Sequence, residues 1–310
     1  MSDHDRNDRR GFLKCMAWAG TGALWTVSGG LASSISLDQA AAKPAVAKGF
    51  SFLQISDSHV GFAKPANPDA KATYQEAVSK IIAMPQKPDF IIHTGDITQL
   101  SKDQEFDDAE QIIKQAGLTV FHVPGEHDML DEGAGKAYLD RFGKGTKGAG
   151  WYSFDHKGVH FVALINVVNL KAGGMGNLGG DQLEWLEKDL AARPSSTPIV
   201  VFAHIPLWTV YADWGWGTDD AAQALTYLKR FGSVTVLNGH IHQITQKVEG
   251  NVHFHTARST AFPQPVGGQG PSPGPLKAPT EQLHSMLGIT TATIVRGQDQ
   301  IALIDATLAS

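Results

Sequence analysis

The sequence predicts an α/β fold in which two mixed β-sheets pack together between outer helices. In the first half, short apolar runs alternate with helical stretches, as expected for βα units around a buried sheet. The later apolar runs cluster, which favours a mixed two-sheet sandwich over a purely parallel sheet. The chain has 310 residues, of which 42% are hydrophobic and 18% charged, and this suits one large domain with a sizeable core.

The apolar runs predict strands, and apolar residues at helical spacing predict four helices. The strands are expected at residues 50–55, 89–93, 119–123, 159–165, 199–203 and 234–237, near His253, and at 289–295 and 301–305. The helices are expected at residues 70–83, 104–115, 182–191 and 219–231. Residues 262–279 hold six Pro and four Gly, which predicts a long loop there, either a mobile flap or lid or a disordered surface insertion.

Residues 1–42 differ in kind from the rest and predict an export signal. Arg9 and Arg10 precede a weakly apolar run, an order typical of twin-arginine signals. Glycines and serines interrupt that run, which disfavours the alternative of a membrane anchor, since a span needs roughly 20 apolar residues. Small residues at 40–42 offer a cleavage site, with 45–47 as a second choice. We therefore expect a mature domain over 43–310, carried by the twin-arginine export machinery to the periplasm or beyond, without a stable membrane anchor.

Charge, cysteine and glycine patterns exclude several classes of protein. The formal net charge is −5 and no basic arm is present, so no nucleic-acid polymer is expected as a partner. The single cysteine, Cys15, lies within the predicted signal, so the mature chain is expected to be stable without disulfides. The glycines between 173 and 180 are not followed by Gly-Lys-Ser/Thr, which excludes a phosphate-binding P-loop.

Asp and His residues gather just past the carboxyl ends of five predicted strands, where open α/β sheets bind their ligands. Each set alone is weak evidence, because a histidine at a strand end is usually a satisfied structural residue. Together they predict a metal centre, since so many ionisable groups in one place are unfavourable unless a cation offsets them. The sets are Asp57-Ser58-His59, Gly95-Asp96, Gly125-Glu126-His127-Asp128, His204 and Gly239-His240-Ile241-His242.

In this order the five sets resemble the signature of calcineurin-like metallophosphoesterases, and the resemblance spans residues 50–242. Residues 179–186 are also similar to a helix start between that family's third and fourth motifs. The resemblance implies a four-layer αββα sandwich and a dinuclear metal centre. Its implied ligands are Asp57, His59 and His242 for one metal, His204 and His240 for the other, Asp96 as the bridge and Glu126 as a further ligand.

The implied cofactors are two divalent or mixed-valence transition-metal ions, and the implied nucleophile is a metal-bound hydroxide. Imidazole and carboxylate ligands suit Mn, Fe and Zn. Mn or Fe is favoured and Zn is possible, because a twin-arginine substrate folds before export and can load its metal in the cytoplasm.

Purple acid phosphatases place a tyrosine three residues after the aspartate of the second motif. Here that position is Gln99, which argues against the iron-tyrosinate subtype.

His127 and Asp128 are the expected catalytic residues. In the resembling family the histidine stabilises the transferring phosphoryl group or protonates the leaving oxygen, and Asp128 is expected to orient its imidazole. The alternative for Asp128 is that it braces the loop.

Glu126 departs from the family, which usually has Asn there. As a ligand it would add negative charge and strengthen cation binding, whereas a side chain turned away would leave one metal loosely held.

Two groups of aromatic residues outside these motifs also need an interpretation. The residues that follow His204 are either a loop packed on the sandwich or a platform for a nucleobase or other flat group near the metals. They are Trp208, Tyr211, Trp214 and Trp216. Six histidines without motif spacing are expected to be structural, namely His93, His122, His156, His160, His253 and His255.

These features predict an exported, metal-dependent hydrolase of phosphate esters, either a phosphodiesterase or a phosphomonoesterase. The resemblance is closest to compact bacterial phosphodiesterases of the cyclic-nucleotide type, and the expected substrate is a small-molecule or envelope phosphoester. The alternative is a catalytically weak metal- or phosphate-binding protein in which Glu126 has reduced the activity of the metal centre.

Overall fold

The computed structural model describes residues 23–28, 31–36, 49–295 and 301–309, which belong to two compact units, Met1–Lys48 and Gly49–Ser310. In the first unit, strands β1 (Ala23–Ser28) and β2 (Leu31–Ser36) pair in antiparallel orientation. Arg9, Arg10 and the cleavage positions 40–42 lie outside the described residues, so the export signal stays a prediction.

The second unit contains two mixed sheets. The strands of the first sheet are β3 (Phe50–Ile55), β4 (Phe90–His93), β5 (Thr119–His122), β12 (Gly288–Ile294) and β13 (Ile301–Thr307), and they lie in the order β13-β12-β3-β4-β5. The strands of the second sheet are β6 (Tyr152–His156), β7 (Val159–Ala163), β8 (Ile199–Phe202), β9 (Val234–Asn238), β10 (Gln246–Glu249) and β11 (Val252–Thr256). They lie in the order β10-β11-β9-β8-β7-β6.

Six α-helices accompany the sheets within the described residues. They are α1 (Ala70–Ala83), α2 (Asp103–Lys114), α3 (Lys136–Phe142), α4 (Gly180–Ala191), α5 (Ala221–Leu228) and α6 (Thr280–Met286). Single turns of 3₁₀ helix cover Glu126–Met129, Ala172–Gly174 and Ala212–Trp214. No described helix combines the length and the apolar character that a membrane crossing requires.

The core has three apolar layers, which follow from the alternation of side chains along the strands. In β3, Phe50 and Phe52 face the other sheet, where Phe52 stacks on Phe90 at 5.2 Å and meets Phe161 edge-on at 5.4 Å. The alternate residues of β3 pack instead against helices α1 and α2. On the far side, α4 and α5 cover the strands of the second sheet. The predicted αββα order of layers is confirmed.

Several predicted elements are confirmed with their bounds, among them the strand over 50–55 and the helix over 70–83. The helix expected at 219–231 is shorter, running from Ala221 to Leu228. The sequence prediction missed β6, β10, α3 and α6. Both strands lie at sheet edges and are only partly buried, so their sequences lack a continuous apolar run. The two helices have only seven residues each.

Parallel pairing brings the predicted site residues together. Strands β3, β4 and β5 are parallel in the first sheet, and β7, β8, β9 and β11 are parallel in the second. The segments that follow β3, β4, β5, β8 and β9 carry the Asp and His residues of all five motifs. Because the carboxyl ends of parallel strands share one edge, residues distant in sequence meet there.

Candidate metal centre

The backbone at this edge adopts an unusual conformation. Five of the seven predicted ligands have left-handed φ angles, which are uncommon for residues other than glycine. They are Asp57 (53°), His59 (39°), Asp96 (50°), His240 (71°) and His242 (53°). Such residues persist where the surrounding structure holds them, and they concentrate at functional sites. The fold therefore maintains strained backbone at the place where the motif side chains converge.

Four of these side chains form a first buried cluster, in which one ligand atom of each residue lies within 4.8 Å of the others. Oδ1 of Asp57 is 3.3 Å from Nε2 of His242, and the Nε2 atoms of His59 and His242 are 3.2 Å apart. The fourth member is Asp96, whose Oδ2 atom is 3.4 Å from Nε2 of His59. Two carboxylates and two imidazoles thus point at one small volume.

A second cluster adjoins the first and contains Glu126, His204 and His240. Oε2 of Glu126 is 2.9 Å from Nε2 of His204, and Oε1 is 2.9 Å from Nδ1 of His240. Oδ2 of Asp96 also lies 3.4 Å from Nε2 of His204. A single carboxylate oxygen of Asp96 therefore faces both clusters.

Backbone carbonyls fix the orientation of two histidines. Nδ1 of His242 is 2.6 Å from the carbonyl oxygen of Phe262, and Nδ1 of His204 is 2.6 Å from that of Thr94. A carbonyl can only accept, so both Nδ1 atoms donate and Nε2 is the atom that faces the cluster in each ring. This is how proteins hold histidines that bind a metal through the opposite nitrogen.

The electrostatics of the site favour a positive charge. Burial opposes ionisation of Asp57, but His242, His204 and His59 outweigh it and hold the pKa of that carboxyl well below its usual range. Burial lowers the pKa of His59 to about 3. Burial also disfavours the charged form of His204, yet Asp96 and Glu126 raise its pKa well above the ordinary value. The carboxylates thus draw a proton to His204 when no other cation is present.

The donor set fits transition-metal ions. Within the described residues, buried side-chain atoms of the second cluster have no hydrogen-bond partner, among them Oε2 of Glu126, Nε2 of His204 and both ring nitrogens of His240. Leaving such atoms unsatisfied is unfavourable. A cation bound by imidazole and carboxylate groups would satisfy them, and that mixture suits Mn, Fe and Zn.

The structure places His127 beside both clusters. Its backbone N–H donates to Oδ1 of Asp96 at 2.9 Å, and its Nδ1 donates to the carbonyl oxygen of Gln99 at 2.8 Å. The ring of His127 lines an adjoining cavity, and Nε2 is its second polar atom. Burial lowers the pKa of His127, but Asp96 and Glu126 raise it more, so its pKa is above the ordinary value.

The predicted contact between Asp128 and the imidazole of His127 is wrong, and the alternative interpretation holds. The Asp128 carboxylate accepts hydrogen bonds from the backbone N–H groups of Gly125, Ile97 and Thr98 and from the Thr98 hydroxyl, at 2.8–3.0 Å. These bonds tie the loop after β5 to the loop after β4. Burial and the charge of Asp96 nevertheless raise the pKa of Asp128 to about 6.

The six histidines expected to be structural lie outside the clusters formed by the described residues. His93 contacts Ser58 at 2.9 Å, and burial lowers its pKa to about 4. His160 lies between two carboxylates, and His255 contacts Asp305 at 3.0 Å. These contacts support packing between elements.

Sequence reasoning missed several residues that shape the site. Phe262 packs on the rings of His59 and His242 at 4.7 and 4.6 Å, in addition to its carbonyl contact. Thr94 acts through its carbonyl, which carries no signal in a sequence. Phe62 and Lys64 line the adjoining cavity, and their position soon after His59 is a signal that could have identified them.

Comparison with known proteins agrees with the motifs. The family model described as calcineurin-like phosphoesterase matches residues 50–244. A 3′,5′-cyclic-nucleotide phosphodiesterase from Nostoc sp. is 21% identical over 68% of this chain and 79% of its own length. The 3′,5′-cyclic adenosine monophosphate phosphodiesterase of Haemophilus influenzae is 25% identical over 62% of this chain and 69% of its own length. A probable glycerophosphodiester phosphodiesterase of Arcobacter nitrofigilis is 23% identical, and this chain spans 57% of it.

Solved structures show the same fold. A dimetal phosphatase from Danio rerio superposes with a TM-score of 0.61 at 14% identity, over 84% of this chain and 96% of that one. A purple acid phosphatase from yellow lupin (Lupinus luteus) seeds also gives 0.61 at 14% identity, over 86% of this chain and 53% of that one. At such identities the likeness concerns the architecture alone.

Proposed function

The chain belongs to the calcineurin-like phosphoesterase family, and on that premise we propose that it hydrolyses small phosphodiesters with two bound metal ions. The names of the curated relatives support a diesterase, since they act on cyclic nucleotides or glycerophosphodiesters. They also favour a small-molecule substrate over a nucleic-acid polymer.

The observation that carries the proposal is the position of Asp96. One oxygen of its carboxylate lies 3.4 Å from Nε2 of His59 and 3.4 Å from Nε2 of His204. An oxygen that faces both clusters is suited to bridge two cations. Asp57, His59 and His242 would hold one ion, and Glu126, His204 and His240 the other. Mn or Fe is our proposed metal, with Zn as the competing choice.

When bound, the two ions would activate water and offset the charge of the phosphoryl group. The chain itself positions the remaining chemistry. Gln99 holds the Nδ1–H of His127 through its backbone carbonyl, which leaves the other nitrogen available to a bound ester. A raised pKa keeps this imidazole protonated to higher pH, so it can stabilise phosphoryl oxygens or protonate the leaving oxygen. Asp128 acts on the loop that carries His127.

A hydrolysis assay tests this function. Chromogenic phosphodiester and phosphomonoester substrates would be offered to the protein with Mn, Fe and Zn added separately. We expect turnover of the diester above that of the monoester, supported better by Mn or Fe than by Zn. Asp96→Asn is the matched inactive variant. Absence of turnover with every metal would instead favour the metal- or phosphate-binding protein.

We also propose that the protein is exported. The proposal is supported by the paired residues Arg9 and Arg10 and the weakly apolar run after them. Replacing both arginines with lysine keeps the charge and should retain the protein in the cytoplasm, as measured by fractionation against a periplasmic marker. Unchanged export of this variant would contradict the proposal.

A further inference from the structure

A cavity of about 350 Å³ adjoins the metal clusters, and His59, Asp96, Glu126, His127 and His240 form part of its lining. This volume lies within the range of roughly 300–1,000 Å³ that is typical of small-molecule sites. The space is large enough for the alcohol part of a substrate as well as its phosphate. The other residues that line the cavity therefore determine which alcohol group of a phosphoester can bind.

Trp214 contributes a fixed aromatic surface to this cavity. Its ring centre lies 5.2 Å from that of Tyr211 and 5.2 Å from that of Trp216, and its plane is tilted by 81° to both rings. Trp216 is only 1% exposed, whereas Trp214 is partly exposed. T-shaped contacts of this kind hold an indole in place, and the partial exposure of Trp214 leaves part of its surface free. Trp214 is thus a rigid ring that the core does not cover.

The Pro- and Gly-rich segment 262–279 packs on this aromatic group. A Cβ on Gly267 would lie 3.1 Å from Tyr211 and 3.3 Å from Trp216, so glycine permits close approach there. Pro273, Gly274 and Pro275 of the same segment line the cavity. The loop predicted at residues 262–279 therefore forms part of the wall around Trp214.

Polar side chains also line the cavity. Oε1 of Gln99 and Oε1 of Gln264 are buried and have no hydrogen-bond partner within the described part of the chain. Both residues line the cavity. Lys64 is the one Lys or Arg side chain among the described lining residues, and its Nζ lies 6.0 Å from the ring centre of Phe62. A ligand with hydrogen-bonding edges and negative charge matches these groups.

We propose that this cavity binds a nucleobase, with Trp214 as the stacking face and Gln264 as a hydrogen-bonding partner. A nucleobase combines a flat face with donors and acceptors on its edge, which an alkyl or simple aryl alcohol lacks. The preferred substrates are then nucleoside phosphoesters. The inference rests on the proposed function, since the phosphate end of the ligand has to lie at the metal clusters.

Adenosine binding tests the subsite without turnover, because adenosine has no phosphoester to hydrolyse. Calorimetric titration of the purified protein should show that Trp214→Leu weakens adenosine binding about tenfold or more, as expected for loss of one stacked base. Trp214→Phe should restore most of the affinity, and Gln264→Leu should weaken it independently. The control Trp185→Phe alters a tryptophan of α4 that packs on the core and should change nothing. Wild-type affinity in both Trp214→Leu and Gln264→Leu would overturn the proposal.

Kinetics provide the second arm. Trp214→Leu should lower kcat/KM about tenfold for a cyclic nucleotide and leave kcat/KM for a glycerophosphodiester unchanged. Equal loss for both substrates would overturn the base-binding role, because Trp214 would then serve the centre as a whole. If the wild type hydrolyses neither substrate, the proposed function fails, and the adenosine titration alone decides the subsite.

Discussion

Oε2 of Glu126 lies 2.9 Å from Nε2 of His204, and neither atom has a hydrogen-bond partner within the described residues. The His204 ring donates from its other nitrogen to the carbonyl of Thr94. Two acceptor atoms this close are expected to repel unless a proton or a cation lies between them. The pair is therefore arranged as two ligands of one ion would be.

Removal of the proposed bridge should affect both ions at once. Asp96→Asn is the suitable variant, since asparagine tolerates the left-handed backbone at this position (φ 50°) better than alanine does. We expect it to lose most of both metals, measured as metal per chain by elemental analysis after purification without chelator. Asp108→Asn, on the surface of α2 and paired with Lys71, is the matched control and should keep both metals. Full occupancy in Asp96→Asn would refute the bridge.

Loss of His127 should slow turnover without releasing metal. His127→Ala is expected to lower kcat by about 10²- to 10⁴-fold, because a positioned acid that acts on the phosphoryl group is removed. His253→Ala, a partly buried histidine away from the clusters, should leave kcat unchanged. If metal per chain falls together with kcat, His127 is a ligand and the proposed role is wrong.

A link between the two sheets should make stability depend on pH in the acid range. Asp305 of β13 accepts a hydrogen bond from Thr290 at 2.6 Å and lies 3.0 Å from Nε2 of His255 in β11. Burial raises the pKa of Asp305, but His255, Thr290 and Arg258 outweigh it and lower the pKa below its usual range. A carboxyl group whose pKa is lower in the folded chain than in the unfolded chain stabilises the fold at pH values above its unfolded pKa of about 4. This stabilisation is lost as the pH falls through the pKa of the folded chain.

Asp305→Asn should therefore be less stable than the wild type at pH 7 by about 1 kcal/mol, measured by urea unfolding. The difference should shrink as pH falls below about 4. Asp140→Asn removes an exposed partner of Lys136 and should change stability by less than about 0.5 kcal/mol. A difference for Asp305→Asn that stays constant from pH 7 to pH 3 would show that the charge is not responsible.

The sequence predicted the parts of the molecule that depend on local pattern. Buried central strands such as β3 have continuous apolar runs, and the motif residues follow them directly, so both the fold and the converging site could be anticipated. The sequence could not decide between the two roles of Asp128, because its partners are backbone N–H groups of its own loop and of the loop after β4. The wall around Trp214 depends on contacts between segments about fifty residues apart, which no local pattern encodes.

Glu126 is the position where the chain departs from its family, and its two oxygens lie 2.9 Å from nitrogens of His204 and His240. We expect Glu126→Gln, which keeps the length and removes the charge, to weaken Mn binding about tenfold or more, measured by titration against a chelator. Glu126→Asn should also retain metal less firmly. Because one negative charge beside the cations is lost, the acidic limb of its pH–rate profile should move to lower pH. If Glu126→Asn keeps both metals under chelator challenge and its pH profile does not move, Glu126 is not a ligand and the second ion has an open position.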